Sequence, residues 1–138
     1  MNGDSAKNIL FDTSAIRELT DHRKKERVVK EWVEKARQKK IEAMMSAISV
    51  YELVFLIGLK DYKRAISTVE FLKNANVKIV PAEEKNCFDA ASLKIKYRDT
   101  NLSTADMIII ATGIDKNATV ITTDKEFQKI QEVHVDVV

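Results

Sequence analysis

Polar and apolar positions along this chain follow two periods, short apolar or β-branched runs alternating with longer stretches at helical spacing. Asn8–Phe11 reads as a short apolar strand, followed at once by Asp12-Thr13-Ser14 and a brief helix to about Thr20. A polar turn leads to a helix near Arg23–Lys39. Its core stripe is Val28, Val29, Trp32, Val33 and Ala36, with Glu26–Lys30 and Glu31–Lys35 as outward i,i+4 pairs. Glu42–Ser46 is the second strand, although Glu, Ala and Met are not strand formers. Ser49 is expected to cap a helix running to about Gly58, and Asp61–Asn74 forms another with Ala65, Ile66, Val69 and Leu72 inward. Val77–Val80 is a strand stopped by Pro81, and Glu83–Arg98 is helical, with Phe88, Ala91, Leu93 and Ile95 as its apolar positions. Ser103 then caps a helix carrying Met107, Ile108, Ile110, Ala111 and Ile114. Asn117 or a neighbour closes the turn into the β-branched strand Thr119–Thr122, and a short helix at Lys125–Ile130 and a strand at Val133–Val137 follow. Strands alternating with helices predict an α/β fold, a parallel sheet covered on both faces.

Composition adds boundaries rather than detail. At 138 residues, with no internal repeat and no Gly/Pro/Ser-rich linker, one domain over 8–138 is expected. Residues 1–7 are polar, with no apolar signal-peptide core, and read as a disordered start or a leftover of expression. Apolar residues at 45% and charged residues at 32% are ordinary for a globular protein, and a net charge of +2 gives no global field for nucleic acid. The positive charge is local: Asp21–Lys40 holds nine Lys or Arg against four Asp or Glu. Such a run is a solvated face, or it tracks a phosphate backbone through Arg23, Lys24, Lys25 or Arg27. The single Cys87 allows no intrachain disulfide, which fits a reducing cytoplasmic setting. No charge-free run approaches the length of a membrane span.

The candidate chemistry lies in four acids. Asp12 follows the first strand directly, Glu52 lies one turn into the helix after the second, Asp106 opens the helix leading to the fourth, and Asp124 follows that strand. Right-handed crossovers place all four on the carboxyl edge of the sheet, where open α/β sheets keep their sites. Each acid alone is explained by helix capping, since Ser49-x-x-Glu52 and Thr123-x-x-Glu126 are capping-box patterns and Ser103-x-x-Asp106 is a near variant. Gathered together they repel, by about 3 kcal/mol per pair at ~5 Å in an effective dielectric near ~20. Capping does not require that convergence, whereas a hard divalent cation does. Oxygen donors without nearby His or Cys favour Mg²⁺ or Mn²⁺.

These residues carry a resemblance. Asp12-Thr13-Ser14-Ala15-Ile16, Ser49-x-x-Glu52-Leu53, Leu102-Ser103-x-Ala105-Asp106-x-x-Ile109 and Thr122-x-Asp124-x-x-Phe127 resemble the four motifs of PIN-domain ribonucleases, and are most similar to the small VapC-type toxins of toxin–antitoxin modules. The resemblance covers nearly the whole chain, with the motifs in order. It implies a three-layer α/β/α sandwich with a five-stranded parallel sheet. It further implies Mg²⁺- or Mn²⁺-dependent endonucleolytic cleavage of RNA, with Asp12, Glu52, Asp106 and Asp124 as catalytic and metal-binding acids. Ser14 and Thr122 match the accompanying hydroxyl positions. An antitoxin partner and a homodimer belong to the same expectation. Leu53, Phe55 and Leu56 sit on a helix that is apolar all round, either central to the fold or facing such a partner.

Other chemistry is disfavoured. His22 and His134 lack metal-ligand spacing and read as surface residues, Cys87 as core packing, and no G-x-S-x-G elbow supports a serine hydrolase. An aspartyl phosphatase would need a carboxylate at position 14, which is Ser14. The remaining alternatives are a non-catalytic RNA- or partner-binding module whose acids merely cap helices, and an RNA-processing nuclease.

Overall fold

A computed structural model describes residues 7–138. In chain order the elements are β1 (Asn8–Phe11), α1 (Thr13–Thr20), α2 (Glu26–Arg37), β2 (Glu42–Ser46), α3 (Ala47–Gly58), α4 (Tyr62–Asn74), β3 (Val77–Val80), α5 (Glu84–Lys96), α6 (Thr104–Asp115), β4 (Thr119–Thr122) and β5 (Val135–Val137). Lys125–Lys129 is a single 3₁₀ segment between the last two strands. The five strands form one parallel sheet in the order β3-β2-β1-β4-β5. The first strand is therefore central, and the order reverses between β1 and β4, so a crevice opens above their carboxyl ends.

Alternation along the strands divides the core into two layers. Ile9 and Phe11 of β1, with Ala43, Met45 and Ile121, face α1 to α4. Leu10, with Val80 and Val120, faces α5 and α6. The α/β/α sandwich expected from the sequence is the architecture observed. Residues 1–6 lie outside the described residues, and Lys7, just before β1, accepts the Glu42 amide of β2 at 2.7 Å through its carbonyl.

Several local expectations shift. The α3 cap is Ser46, whose hydroxyl accepts the Ile48 amide; Ser49 lies inside the helix, fully buried, so the capping box expected with Glu52 does not form. Val28 and Ile66 are exposed, and α5 buries Asn86, Ala90 and Leu93 while Phe88 and Ile95 stand 73% and 70% exposed. Cys87 is exposed with them, which corrects its placement in the core. Asp124, not Thr123, caps the 3₁₀ segment, and Glu126 turns instead to the Asn101 amide. In α6, by contrast, Ser103 and Asp106 form the reciprocal capping box.

Candidate active site

The site begins with the last residue before α1. Asp12 leaves β1 with its amide donated to Ile121 of β4, which holds it beside the crevice. It occupies the N-cap position of α1, yet its side chain makes no capping hydrogen bond. Instead Oδ2 accepts two hydroxyls, from Ser14 at 2.6 Å and from Thr122 at 2.8 Å. Those hydroxyls are themselves anchored: Ser14 Oγ accepts the Thr123 amide and Thr122 Oγ1 accepts the Asp124 amide, each at 3.1 Å. The carboxylate is thus fixed by donors from both sides of the β1/β4 junction. It is only 3% exposed. Burial pushes its pKa up to about 6, against the lowering effect of the two hydroxyls, and the charge of Asp106 pushes in the same direction as burial.

The other acids stand around it. Glu52, on α3, accepts the Thr13 hydroxyl at 2.7 Å, and that hydroxyl also lies 2.9 Å from buried Ser49. Asp106 accepts the Ser103 amide at 2.9 Å, and Asp124 accepts the Glu126 amide at 2.9 Å. All four acids line one cleft of about 240 Å³ with Thr13, Ser14, Arg17, Arg23 and Leu56. They share this cleft without closing on a common point, and no three acidic, His or Cys side chains among the described residues are grouped as ligands of one ion. Asp106 and Asp124 are held by local amide donors, as the capping account requires, and Glu52 by the distant Thr13 hydroxyl. Of the four, Asp12 alone is buried, and its side chain makes no capping bond to the helix that it starts.

The donor set fits a hard divalent cation in kind. It is oxygen throughout, its central member is a buried carboxylate beside like charge, and a cation would reverse the unfavourable ionisation of Asp12. Mg²⁺ keeps several waters and needs only one or two direct carboxylates, so splayed acids are compatible with such a site.

Of the basic residues singled out by sequence, Arg23 lines the cleft, whereas Lys24, Lys25 and Arg27 do not. Arg17 lines it too, and nothing in its sequence neighbourhood marks it. Thr13 enters the sequence pattern only as part of a motif; its role in holding Glu52 spans 39 residues, and no local signal announces it. Of the expected interface residues, Leu53 is fully buried and belongs to the core, while Phe55 and Leu56 are 50% and 40% exposed. His22 and His134 are on the surface, as expected.

The PIN domain family model matches residues 9–133. The fold is similar to VapBC2 from Rickettsia felis bound to a promoter DNA fragment, with a TM-score of 0.75 at 17% identity over 94% of this chain and 97% of that one. It is similar to VapC20 of Mycobacterium tuberculosis, a sarcin–ricin-loop-cleaving toxin, with a TM-score of 0.73 at 16% identity, covering 89% and 95% of the two chains. A toxin–antitoxin complex from Klebsiella pneumoniae gives a TM-score of 0.69 at 25% identity over 91% and 94%. No curated protein sequence matches the chain. A match running from the first strand to the loop before the last, with the same sheet and sandwich, establishes that the chain belongs to the PIN-domain family.

Proposed function

We propose that this protein is a divalent-cation-dependent endoribonuclease, acting as the toxin of a toxin–antitoxin pair. The observation that carries the reading is Asp12, a buried carboxylate with a raised pKa, fixed by two hydroxyls at the switch point of the sheet. A carboxylate in that setting is costly for folding, and it faces a cleft lined by three more acids. Asp12 would hold Mg²⁺ or Mn²⁺ with Asp106, Glu52 and Asp124, directly or through water. Such an ion lowers the pKa of a bound water and neutralises charge developing on the scissile phosphate. Ser14 and Thr122 keep Asp12 in one rotamer, and Thr13 does the same for Glu52. Hydrolysis by activated water leaves a 5′-phosphate.

The partner reading rests on surface. Along α3 and α4, Tyr51, Phe55, Leu59, Tyr62, Ile66 and Phe71 are all more than 40% exposed, and the Tyr51 and Phe55 rings stack at 6.2 Å. Apolar side chains in such number mark an interaction face, here assigned to an antitoxin segment or a second copy of the chain. The likeness to VapBC2 and to the Klebsiella toxin–antitoxin complex supports an antitoxin.

The test is incubation of RNA with Mn²⁺ or Mg²⁺, beside EDTA and Asp12→Asn. Cleavage is expected only with metal and intact Asp12. Undiminished cleavage in EDTA or by Asp12→Asn overturns the reading. The capping contacts of Asp106 and Asp124 favour a second, non-catalytic reading, in which the wild type binds RNA or a partner and never cuts.

A further inference from the structure

Beside the acidic cleft lies a second cleft of opposite charge. It has a volume of about 430 Å³ and is lined by Arg17, Thr20, Asp21, His22, Arg23, Leu56, Ile57, Lys60 and Arg64. Arg17, Arg23 and Leu56 line both clefts, so the two share a wall. The basic residues come from separate parts of the chain: Arg17 from α1, Arg23 from the α1–α2 turn, Lys60 from the α3–α4 turn and Arg64 from α4.

Three guanidinium groups converge on the single carboxylate of Asp21. Arg17 reaches it at 2.6 Å, Arg23 at 3.2 Å and Arg64 at 3.6 Å. Burial raises the Asp21 pKa, but the hydrogen bond from Arg17 and the three positive charges outweigh it and hold the carboxyl below its usual range. The plain structural account is that Asp21 ties the α1–α2 turn to α4. That account needs one arginine per carboxylate. Arg23 also reaches Glu18 at 3.9 Å, so four cations against two carboxylates leave two positive charges around one concavity, where they repel as the acids next door do. Asp21 positions the guanidinium groups but neutralises only a fraction of them. The remaining charge suits an anion with several oxygens in fixed geometry, which is what planar guanidinium forks bind best.

Which anion follows from the neighbouring cleft. An acidic cavity repels a phosphodiester strand unless positive charge beside it offsets the repulsion. A basic cleft sharing one wall with it supplies that charge where the strand continues past the acids. We propose that the Arg17–Arg23–Lys60–Arg64 cleft binds a backbone phosphate of the RNA next to the phosphate that is cut. The inference rests on the ribonuclease reading, and it replaces Lys24, Lys25 and Arg27 as the backbone-tracking residues.

Binding and cleavage are measured separately. A short fluorescein-labelled single-stranded RNA is titrated by anisotropy in EDTA, where no cutting is expected, against wild type, Lys60→Gln, Arg64→Gln and the double variant. Lys78→Gln, on the distant edge strand β3, is the control. Arg17 and Arg23 are left intact because they also line the acidic cleft. The expected result is weaker binding, roughly tenfold in the double variant. The slope of log K against log salt should flatten by about 0.7, the value for one fewer phosphate neutralised on a single strand. In cleavage with Mn²⁺, KM rises and kcat stays. Wild-type affinity and salt slope in Lys60→Gln and in the double variant overturn the proposal, as does poly-glutamate competing with an affinity that the same substitutions weaken while RNA binding does not change. If wild type cleaves with metal and KM is unmoved by the double variant, only the phosphate subsite fails. If wild type neither binds nor cleaves RNA, the ribonuclease reading fails with it.

Discussion

Asp12 makes folding of this protein sensitive to pH in an unusual direction. Its carboxyl has an ordinary value of 3.8 when unfolded and about 6 when folded. Between those values the folded chain holds a proton that the unfolded chain has released, so raising the pH favours unfolding. The contribution is fully present below about pH 4 and is lost by the time pH passes through about 6, amounting to about 3 kcal/mol. In EDTA the melting temperature of the wild type should therefore fall across that window relative to Asp12→Asn. The Asn oxygen can still accept the Ser14 and Thr122 hydroxyls, and Asn cannot ionise. Parallel profiles for the two proteins would refute this. Asp106→Asn tests the neighbour. The Asn keeps an acceptor for the Ser103 amide but gives up about 0.3–1 kcal/mol of charge–dipole interaction. It also removes a charge that raises the pKa of Asp12. At pH 8, low salt and no metal, the variant should melt above wild type, and Mn²⁺ should stabilise it less than it does wild type. A lower melting point in EDTA with an unchanged response to Mn²⁺ would leave Asp106 as a cap and nothing more.

At the scale of elements, helix starts were readable where their partners are local. Ser103 and Asp106 sit three residues apart, and the box that they form is the one the spacing implies. The α3 start was misread because Ser46 and Ser49 both precede an apolar run. What decides between them is pairing of Ser46 with Val80 on β3, a contact invisible to a local pattern. Helix α5 offers two apolar stripes, and the more hydrophobic one faces outward. The buried stripe contains Asn86, which is satisfied by accepting the Glu83 amide and donating to Asp115, so polarity concealed it. The approach of α6 to the sheet is also non-local. A Cβ on Gly113 would lie 2.7 Å from Val120 Cγ2 on β4. Gly113→Ala gains up to about 1 kcal/mol of helix propensity, but overpacking against a fully buried β-branched side chain costs about 1–3 kcal/mol. The net expectation is destabilisation, read as a lower urea midpoint. A midpoint at or above wild type would show that α6 can lift off the sheet at little cost.

For the molecule as a whole, the edge on which the four acids gather was legible because it follows from strand–helix alternation and crossover handedness alone. Which cations stand beside them was not. Arg17 and Arg64 belong to different helices and meet only through Asp21, so no short window of sequence contains their cluster. The exposed face of α3 and α4 is likewise a product of assembly, since Leu53 and Ile57 turn inward while Phe55 and Leu59 turn out. A stable protein interface buries about 800 Å² per partner, and a charge at its centre removes much of that burial. Phe55→Asp should therefore weaken self-association or antitoxin capture by about tenfold or more while the chain stays folded, because Phe55 is half exposed. Light scattering that finds wild type monomeric, together with equal antitoxin affinity in Phe55→Asp, would remove this face from consideration.

The central position of the first strand has a consequence for synthesis. Asp12 is made 110 residues before Thr122, whose hydroxyl fixes it. Strand β1 has no neighbour on one side until β4 exists. Closing so long a loop is slow, and nothing rewards it beforehand. A nascent or truncated chain ending short of β4 thus carries Asp12, Glu52 and Asp106 without a site to put them in. On the ribonuclease reading, a chain cut short before β4 is expected to be inert, because the hydroxyl that fixes Asp12 has yet to be made.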